Sequence, residues 1–130
     1  MPPVVTALYA ALNALLNIAL AYRVTRLRHA HGVSLGEGGA TPLQIGIRAH
    51  GNNAEYVPLA LILLLTAELC GGSRMVLHLL GGTLLFARVL HPIGLPRKSP
   101  NAPRWLGVAL TFTMIAASAG YGLYLHFRLV

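Results

Sequence analysis

The chain has 130 residues, of which 55% are hydrophobic and 10% are charged, against roughly 25% charged residues in ordinary soluble proteins. A soluble domain of this length cannot bury so much apolar surface, so we predict a single lipid-embedded domain over residues 1–130. The net charge of +7 does not indicate nucleic-acid binding, because the basic residues form two clusters between apolar runs instead of a stripe on a polar face.

The first predicted helix covers about residues 3–28. It begins near Pro2 and Pro3, since proline suits the first turn of a helix. About 20 apolar-dominated residues then precede the first charge, Arg23, which is enough to span a bilayer. No basic residue precedes this apolar stretch, so we expect a retained helix and not a cleaved signal peptide.

Three further helices are predicted downstream, over about residues 42–70, 73–91 and 103–127. Thr41 and Pro42 open the second after a glycine-rich loop. Pro92 is expected to end the third, and a proline-rich connector leads to the fourth, which is free of Asp, Glu, Lys and Arg from Trp105 through Phe127. The pattern predicts an all-α integral membrane bundle of four helices.

The basic clusters also predict the orientation of the bundle. The loops after the first and third helices are richer in arginine and lysine than the loop after the second helix. The positive-inside rule therefore places these two loops in the cytoplasm and both termini outside. Without a recognisable secretory or organelle signal, we favour a bacterial inner membrane. The basic residues of the two loops placed in the cytoplasm are Arg23, Arg26, Arg28, Arg97, Lys98 and Arg104.

Cysteine and histidine do not predict a metal centre. Cys70 is the single cysteine and is expected to be a small buried thiol. His29, His31 and His50 have no carboxylate or thiol partners at ligand spacing, so no metal is expected.

The most informative segment is Arg-Ala-His-Gly-Asn-Asn-Ala-Glu-Tyr-Val-Pro, at residues 48–58 in the second predicted helix. At about 100° per residue, Arg48, Asn52 and Glu55 fall on one helix face. Ionisable groups at membrane depth are expensive, so we expect them to face the interior of the bundle or a wet cavity. The alternative is a purely structural Arg–Glu pair.

Several cations are expected near this face, on the cytoplasmic side. They are Arg26, Arg88, His91 and Arg104. So many positive charges around one carboxylate predict an anionic ligand, ideally one with carboxylates for the arginines and an amine for Glu55. Glutathione has this arrangement, but other anionic ligands fit the spacing equally well.

The segment Arg-Ala-His-x-Asn-x-x-Glu-Tyr-x-Pro resembles the second-helix signature of the superfamily of membrane-associated proteins in eicosanoid and glutathione metabolism. Arg26-Leu-Arg28, the glycine-rich loop and Arg88-Val-Leu-His91 resemble the same superfamily in their order and position. The resemblance implies glutathione as the cofactor and a homotrimer with its sites between subunits. It also implies a lipophilic electrophile as second substrate, with conjugation and hydroperoxide reduction both open.

The resemblance also implies roles for individual residues. Arg104 would stabilise the glutathione thiolate, because a neighbouring guanidinium lowers the pKa of a thiol. Glu55 would hold the amino group of glutathione and Arg26 one of its carboxylates. The glutathione-binding residues implied are Arg26, Arg48, Asn52, Glu55, Tyr56, Arg88 and His91.

Two departures from the family pattern leave alternatives open. Leu95 stands where some relatives have a tyrosine, so a mechanism that needs that hydroxyl is in doubt, and a non-catalytic glutathione- or lipid-binding protein is an alternative. The connector varies in length among relatives, so Arg97 could take the role of Arg104, although a helix start favours Arg104. A small transporter is less favoured, because a carboxylate that loads cations should not be crowded by arginines.

Overall fold

The computed structural model describes residues 2–130. It contains four α-helices, α1 Val4–His31, α2 Thr41–Leu69, α3 Arg74–Gly94 and α4 Ala102–Leu129, which confirms the predicted all-α architecture. Helices α1, α3 and α4 are each long and apolar enough to cross a membrane. Helix α2 has 29 residues, long enough at about 1.5 Å per residue to cross as well, and polar residues interrupt its first half. The chain is a four-helix membrane bundle.

Three helices extend further than predicted, α4 by one residue at its start and two at its end. Helix α1 runs to His31 and ends at Gly32, whose φ of 63° lets the chain turn in the left-handed conformation. Helix α3 continues through Pro92 to Gly94, so the prediction that Pro92 ends it is wrong. A proline this close to the end of a helix removes one backbone bond, and Leu95 N then donates to the carbonyl of His91 at 3.2 Å.

Helices α3 and α4 approach each other closely through two glycines. A Cβ on Gly107 would lie 2.9 Å from the Cβ of His91, and one on Gly94 would collide with the backbone of Arg104. Real side chains do not tolerate such contacts without a shift of the backbone. The absence of a side chain at these positions therefore brings the end of α3 against the start of α4.

The core has two buried groups of apolar side chains. One lies toward the chain termini and holds Val5, Leu64, Ala67, Leu77 and Leu125. The second lies nearer the middle of the bundle and holds Ala60, Leu84 and Met114. Both contain residues of α2, so this helix packs against the rest of the bundle despite its polar first half.

Large apolar side chains also cover the outside of the bundle. Examples are Leu15, Ile62, Phe86 and Phe112, each at least half exposed, as expected where lipid is the solvent. Cys70 is exposed as well, so the prediction of a buried thiol is wrong. The turn that follows α2 carries this residue out of the packed core.

Candidate anion-binding site

A cavity of about 230 Å³ lies where α2, the end of α3 and the start of α4 meet. Two guanidinium groups, an imidazole and an amide supply its polar walls, and none of the lining residues is acidic. Donor groups without an opposing carboxylate suit an anionic group. The lining residues are Arg48, Asn52, His91, Leu95, Arg104 and Val108.

Arg104 reaches the cavity because Asn101 fixes the start of α4. The Asn101 side-chain oxygen accepts a hydrogen bond from Arg104 N at 3.0 Å, as an N-cap residue does. Its amide nitrogen donates to the carbonyl of Gly94 at 3.0 Å. One side chain thus ties the end of α3 to the first turn of α4. Arg97 lies in the connector and is not among the residues that line the cavity.

Asn52 is held in a single orientation by Arg88. Arg88 Nη1 donates to Asn52 Oδ1 at 2.9 Å and to the Asn52 carbonyl at 3.3 Å. Because the side-chain oxygen of Asn52 is engaged in this way, its amino group is the part left to face a ligand. Arg88 therefore makes Asn52 a hydrogen-bond donor to the cavity.

Arg88 itself is 2% exposed and does not line the cavity. Its Nη2 donates to Thr111 Oγ1 at 2.5 Å and to the Gly107 carbonyl at 3.2 Å, and its guanidinium carbon lies 5.8 Å from the Tyr56 ring centroid. All of these partners are neutral. The structure thus places Arg88 behind the site, where it joins α2, α3 and α4 and leaves its positive charge uncompensated by these contacts.

Tyr56 also lies outside the cavity lining. Its half-buried ring packs against Phe112 of α4, with the ring centroids 5.5 Å apart. Together with its contact to Arg88, this position makes Tyr56 part of the α2–α4 contact beside the site.

Glu55 and Arg26 are not brought into the cavity. Glu55 is exposed on α2, and Arg26 is exposed on α1 beside Tyr22 and Arg23, in a separate cavity. Arg48 is exposed too, although it forms one wall of the site. Within a single chain, Arg48 therefore faces a cavity as expected, whereas the expectation that Glu55 faces the interior of the bundle or a wet cavity is wrong.

The inward face of α2 is occupied by apolar residues and by Asn53. Ala49, Val57, Ala60 and Leu64 lie on that face and are buried. A charged side chain placed among these residues would lose its solvation without gaining a partner, which is unfavourable. The charged residues of the signature, Arg48 and Glu55, consequently lie at exposed positions. The neutral Asn52 instead contacts Arg88.

His91 and Leu95 form the α3 wall of the cavity. His91 is 5% exposed and offers a ring nitrogen as a further polar group. Leu95, one turn later, offers only hydrocarbon. The cavity can therefore hold an anion through its arginines, but Leu95 supplies no hydroxyl that would donate to a reacting sulfur.

Sequence reasoning missed four residues that build the site, Asn101, Gly107, Val108 and Thr111. Asn101 carried a usable signal, since asparagine followed by proline at the second helical position is typical of a capped helix start. The others carried none, because a glycine, a valine and a threonine in an apolar helix are unremarkable until the neighbouring helix is known. Within residues 2–130, no three His, Cys, Asp or Glu side chains are grouped so that they could hold a metal.

Comparison with known proteins agrees with the resemblance seen in the signature segment. The sequence profile of the MAPEG family, the membrane-associated proteins in eicosanoid and glutathione metabolism named above, matches residues 6–124. The inner membrane protein YecN of Escherichia coli strain K12 is 37% identical over 123 residues, which cover 90% of this chain and 92% of YecN. YecN of Escherichia coli O6:H1 matches to the same extent. No solved structure matches. The chain belongs to the MAPEG family.

Proposed function

We propose that this chain is a membrane-bound, glutathione-dependent transferase or peroxidase. The observation that carries the proposal is the cavity, in which Arg48, Asn52, His91 and Arg104 meet with no acidic residue among the lining groups. Membership of the MAPEG family supports glutathione over other anions. The name of YecN states a location and no activity, so the proposal depends on the site and the family.

Glutathione suits this set of groups because it carries two carboxylates, one ammonium group and a thiol. Arg48 and the amino group of Asn52 would bind a carboxylate, and Arg104 would face the sulfur. A guanidinium beside a thiol lowers the pKa of that thiol and raises the fraction of thiolate, which is the nucleophile. The buried charge of Arg88 adds to the positive potential behind the cavity.

A second copy of the chain would complete the site. The cavity of about 230 Å³ is smaller than the roughly 300–1,000 Å³ typical of sites for drug-sized ligands. Glu55 and Arg26, which the family resemblance assigns to glutathione, lie on exposed faces where a neighbouring copy would pack. We therefore propose a homotrimer in which each site lies between two subunits, with Glu55 binding the ammonium group.

In the transferase reaction, the thiol proton would leave to water and the thiolate would attack the electrophilic carbon of a lipophilic substrate. A carbon–sulfur bond forms, and in a substitution the leaving group departs with its electron pair. In the peroxidase reaction, the thiolate would attack the terminal oxygen of a hydroperoxide, and the O–O bond would break to give a sulfenic acid and an alkoxide, which takes a proton from water. The thiol of a second glutathione would then displace hydroxide from the sulfenic acid, giving glutathione disulfide and water. Proximity and thiolate stabilisation would supply most of the rate increase.

We place the protein in a bacterial inner membrane, with the site toward the cytoplasm and both termini outside. The name of YecN supports this location, and the arginine-rich loops after α1 and α3 support the orientation. Glutathione would then reach the cavity from the cytoplasm and the lipophilic substrate from the bilayer.

The test is glutathione binding by the detergent-purified protein, followed by ultraviolet absorption of the thiolate across pH. Wild type should bind and show thiolate well below the pKa of the free thiol. Arg104→Ala should lose the thiolate band, whereas Arg97→Ala, a connector arginine outside the cavity, should retain it. If wild type does not bind glutathione, the proposed function is wrong.

A second candidate is a glutathione-binding protein without turnover, which Leu95 on the cavity wall favours. It predicts binding and a thiolate signal but no conjugation of 1-chloro-2,4-dinitrobenzene and no reduction of cumene hydroperoxide. If Leu95→Tyr creates activity that wild type lacks, the missing hydroxyl is the reason. Activity in wild type would eliminate this candidate.

A further inference from the structure

The end of α1 carries a second cationic cavity, separate from the proposed glutathione site. Its volume is about 380 Å³, and we call it the α1 cradle. None of its lining residues is acidic, and two of them, Arg28 and His29, are basic. The cradle is lined by Thr25, Arg28, His29, Gly32, Val33 and Ser34.

The guanidinium group of Arg28 is fixed in place before any ligand arrives. Arg28 Nη1 donates to the Gly36 carbonyl at 2.9 Å and to the Ser34 carbonyl at 3.4 Å. The loop can meet the side chain in this way because Gly32 turns the backbone with a φ of 63°. An arginine that is already ordered loses less conformational entropy when it binds an anion.

Arg28, the cation of the cradle that the loop holds, lies on the opposite face of α1 from Arg26. At about 100° per residue, Arg28 lies about 160° around the helix from Arg26. Arg26 lines the other cavity, with Tyr22 and Arg23. A neighbouring subunit that takes Arg26 into its site would therefore leave the Arg28 side of the cradle open to lipid.

An apolar track leads from the cradle along α1 toward the middle of the membrane. Ile18 precedes Thr25 by two helical turns on the same face and is 64% exposed. Leu35, next to Ser34 in the loop, is 89% exposed. A phosphate at the cradle would thus have hydrocarbon-binding side chains beside it.

We propose that the α1 cradle binds the phosphate group of an anionic phospholipid, with an acyl chain along Ile18. Arg28 and His29 bind the phosphate, and the Ser34 hydroxyl can donate to one of its oxygens. Clusters of basic residues beside a membrane-spanning helix attract anionic headgroups. A soluble phosphate would use the same cations but gain nothing from the apolar track, so the lipid is the ligand that fits both features.

The experiment is native mass spectrometry of the full chain in detergent, titrated with dioleoylphosphatidylglycerol or dioleoylphosphatidylcholine. Wild type should bind the anionic lipid more tightly by about tenfold or more. His29→Glu places a negative charge in the cradle. His31→Glu makes the same change two residues later, outside the lining, and serves as the matched control. Both positions are exposed, so neither change disturbs the core.

His29→Glu should weaken anionic-lipid binding at least about tenfold more than His31→Glu. Equal losses would mean that only the diffuse charge of the helix end attracts lipid, and would overturn the site. Displacement of the lipid by millimolar inorganic phosphate would assign the cradle to a soluble phosphate and overturn the lipid proposal. Glutathione binding should be unchanged in both variants, so this proposal and the proposed function fail separately.

Discussion

The α3–α4 contact and the α1–α2 contact both bury polar side chains at membrane depth, but the hydrogen bonding of these side chains differs. At the α3–α4 contact, the two terminal nitrogens of Arg88 find acceptors on Asn52 of α2 and on Gly107 and Thr111 of α4, while its Nε is buried without one within residues 2–130. Between α1 and α2, Asn53 donates to Asn17 at 3.1 Å. The side-chain oxygens of Asn13 and Asn53 are buried there and find no donor within residues 2–130.

The hydrogen bonds of Arg88 hold several helices together beside the site. The asparagines between α1 and α2 have fewer of their polar atoms paired within a single chain. A buried polar network stabilises a fold when its members are satisfied, and each unsatisfied group reduces that gain. The Arg88 network fixes Asn52 for ligand binding. The asparagines line a groove of about 330 Å³ whose other walls are alanine, valine, proline and leucine.

The largest expected effect is at Arg88, on the α3–α4 side. Arg88→Met should lower the free energy of unfolding by about 3 kcal/mol or more, because several buried acceptors lose their donor at once. Circular dichroism during unfolding by sodium dodecyl sulfate in mixed micelles measures this. Arg74→Met, at an exposed position, should change stability by less than about 0.5 kcal/mol. Equal changes in the free energy of unfolding would show that the hydrogen bonds of Arg88 do not stabilise the bundle.

The close approach of α3 and α4 is tested by adding one methyl group. Gly107→Ala should destabilise the bundle by about 1–3 kcal/mol, since the new Cβ meets His91 and strains the packing. Gly120→Ala is the matched control, because a Cβ at Gly120 has nothing within 4 Å. That change should be neutral or stabilising by up to about 1 kcal/mol. A neutral Gly107→Ala in the same unfolding assay would contradict the close packing.

At the α1–α2 contact, Glu68 of α2 caps the start of α1. Its carboxylate accepts hydrogen bonds from Val5 N at 2.9 Å and Thr6 N at 2.7 Å, at the start of α1. Glu68→Gln should cost about 1 kcal/mol, because a negative charge at a helix N-terminus is favourable. Hydrogen exchange of the first α1 amides should rise in this variant. Glu37→Gln, in an exposed loop, should leave that exchange unaltered.

The smallest expected effect has the opposite sign. Asn13→Leu removes a buried oxygen without a donor and should stabilise the single chain by up to about 1 kcal/mol. Chemical unfolding of the monomer in detergent measures it, with Asn101→Leu as a contrast that should destabilise through loss of the α4 cap. Destabilisation by Asn13→Leu would mean that the asparagine finds a partner that the isolated chain lacks.

The helices and the identity of the cationic residues could be predicted from the sequence, because both depend on local properties. Apolar length, prolines and glycines set the four helices to within a few residues. The signature around Arg48 and Glu55 was recognisable from its spacing. The orientation of these residues was not, since it depends on which face of α2 the other helices cover.

The sequence by itself determined that this is a four-helix membrane protein of the MAPEG type with an excess of positive charge near one end. Only the tertiary structure decided that Arg88 lies behind the site and Arg104 lines it. It also decided that Glu55 and Arg26 stay outside the cavity and that Glu68 caps α1. Apolar length acts along the chain and can be read from it. A hydrogen bond between side chains 36 residues apart, as between Arg88 and Asn52, exists only once packing has brought the helices together.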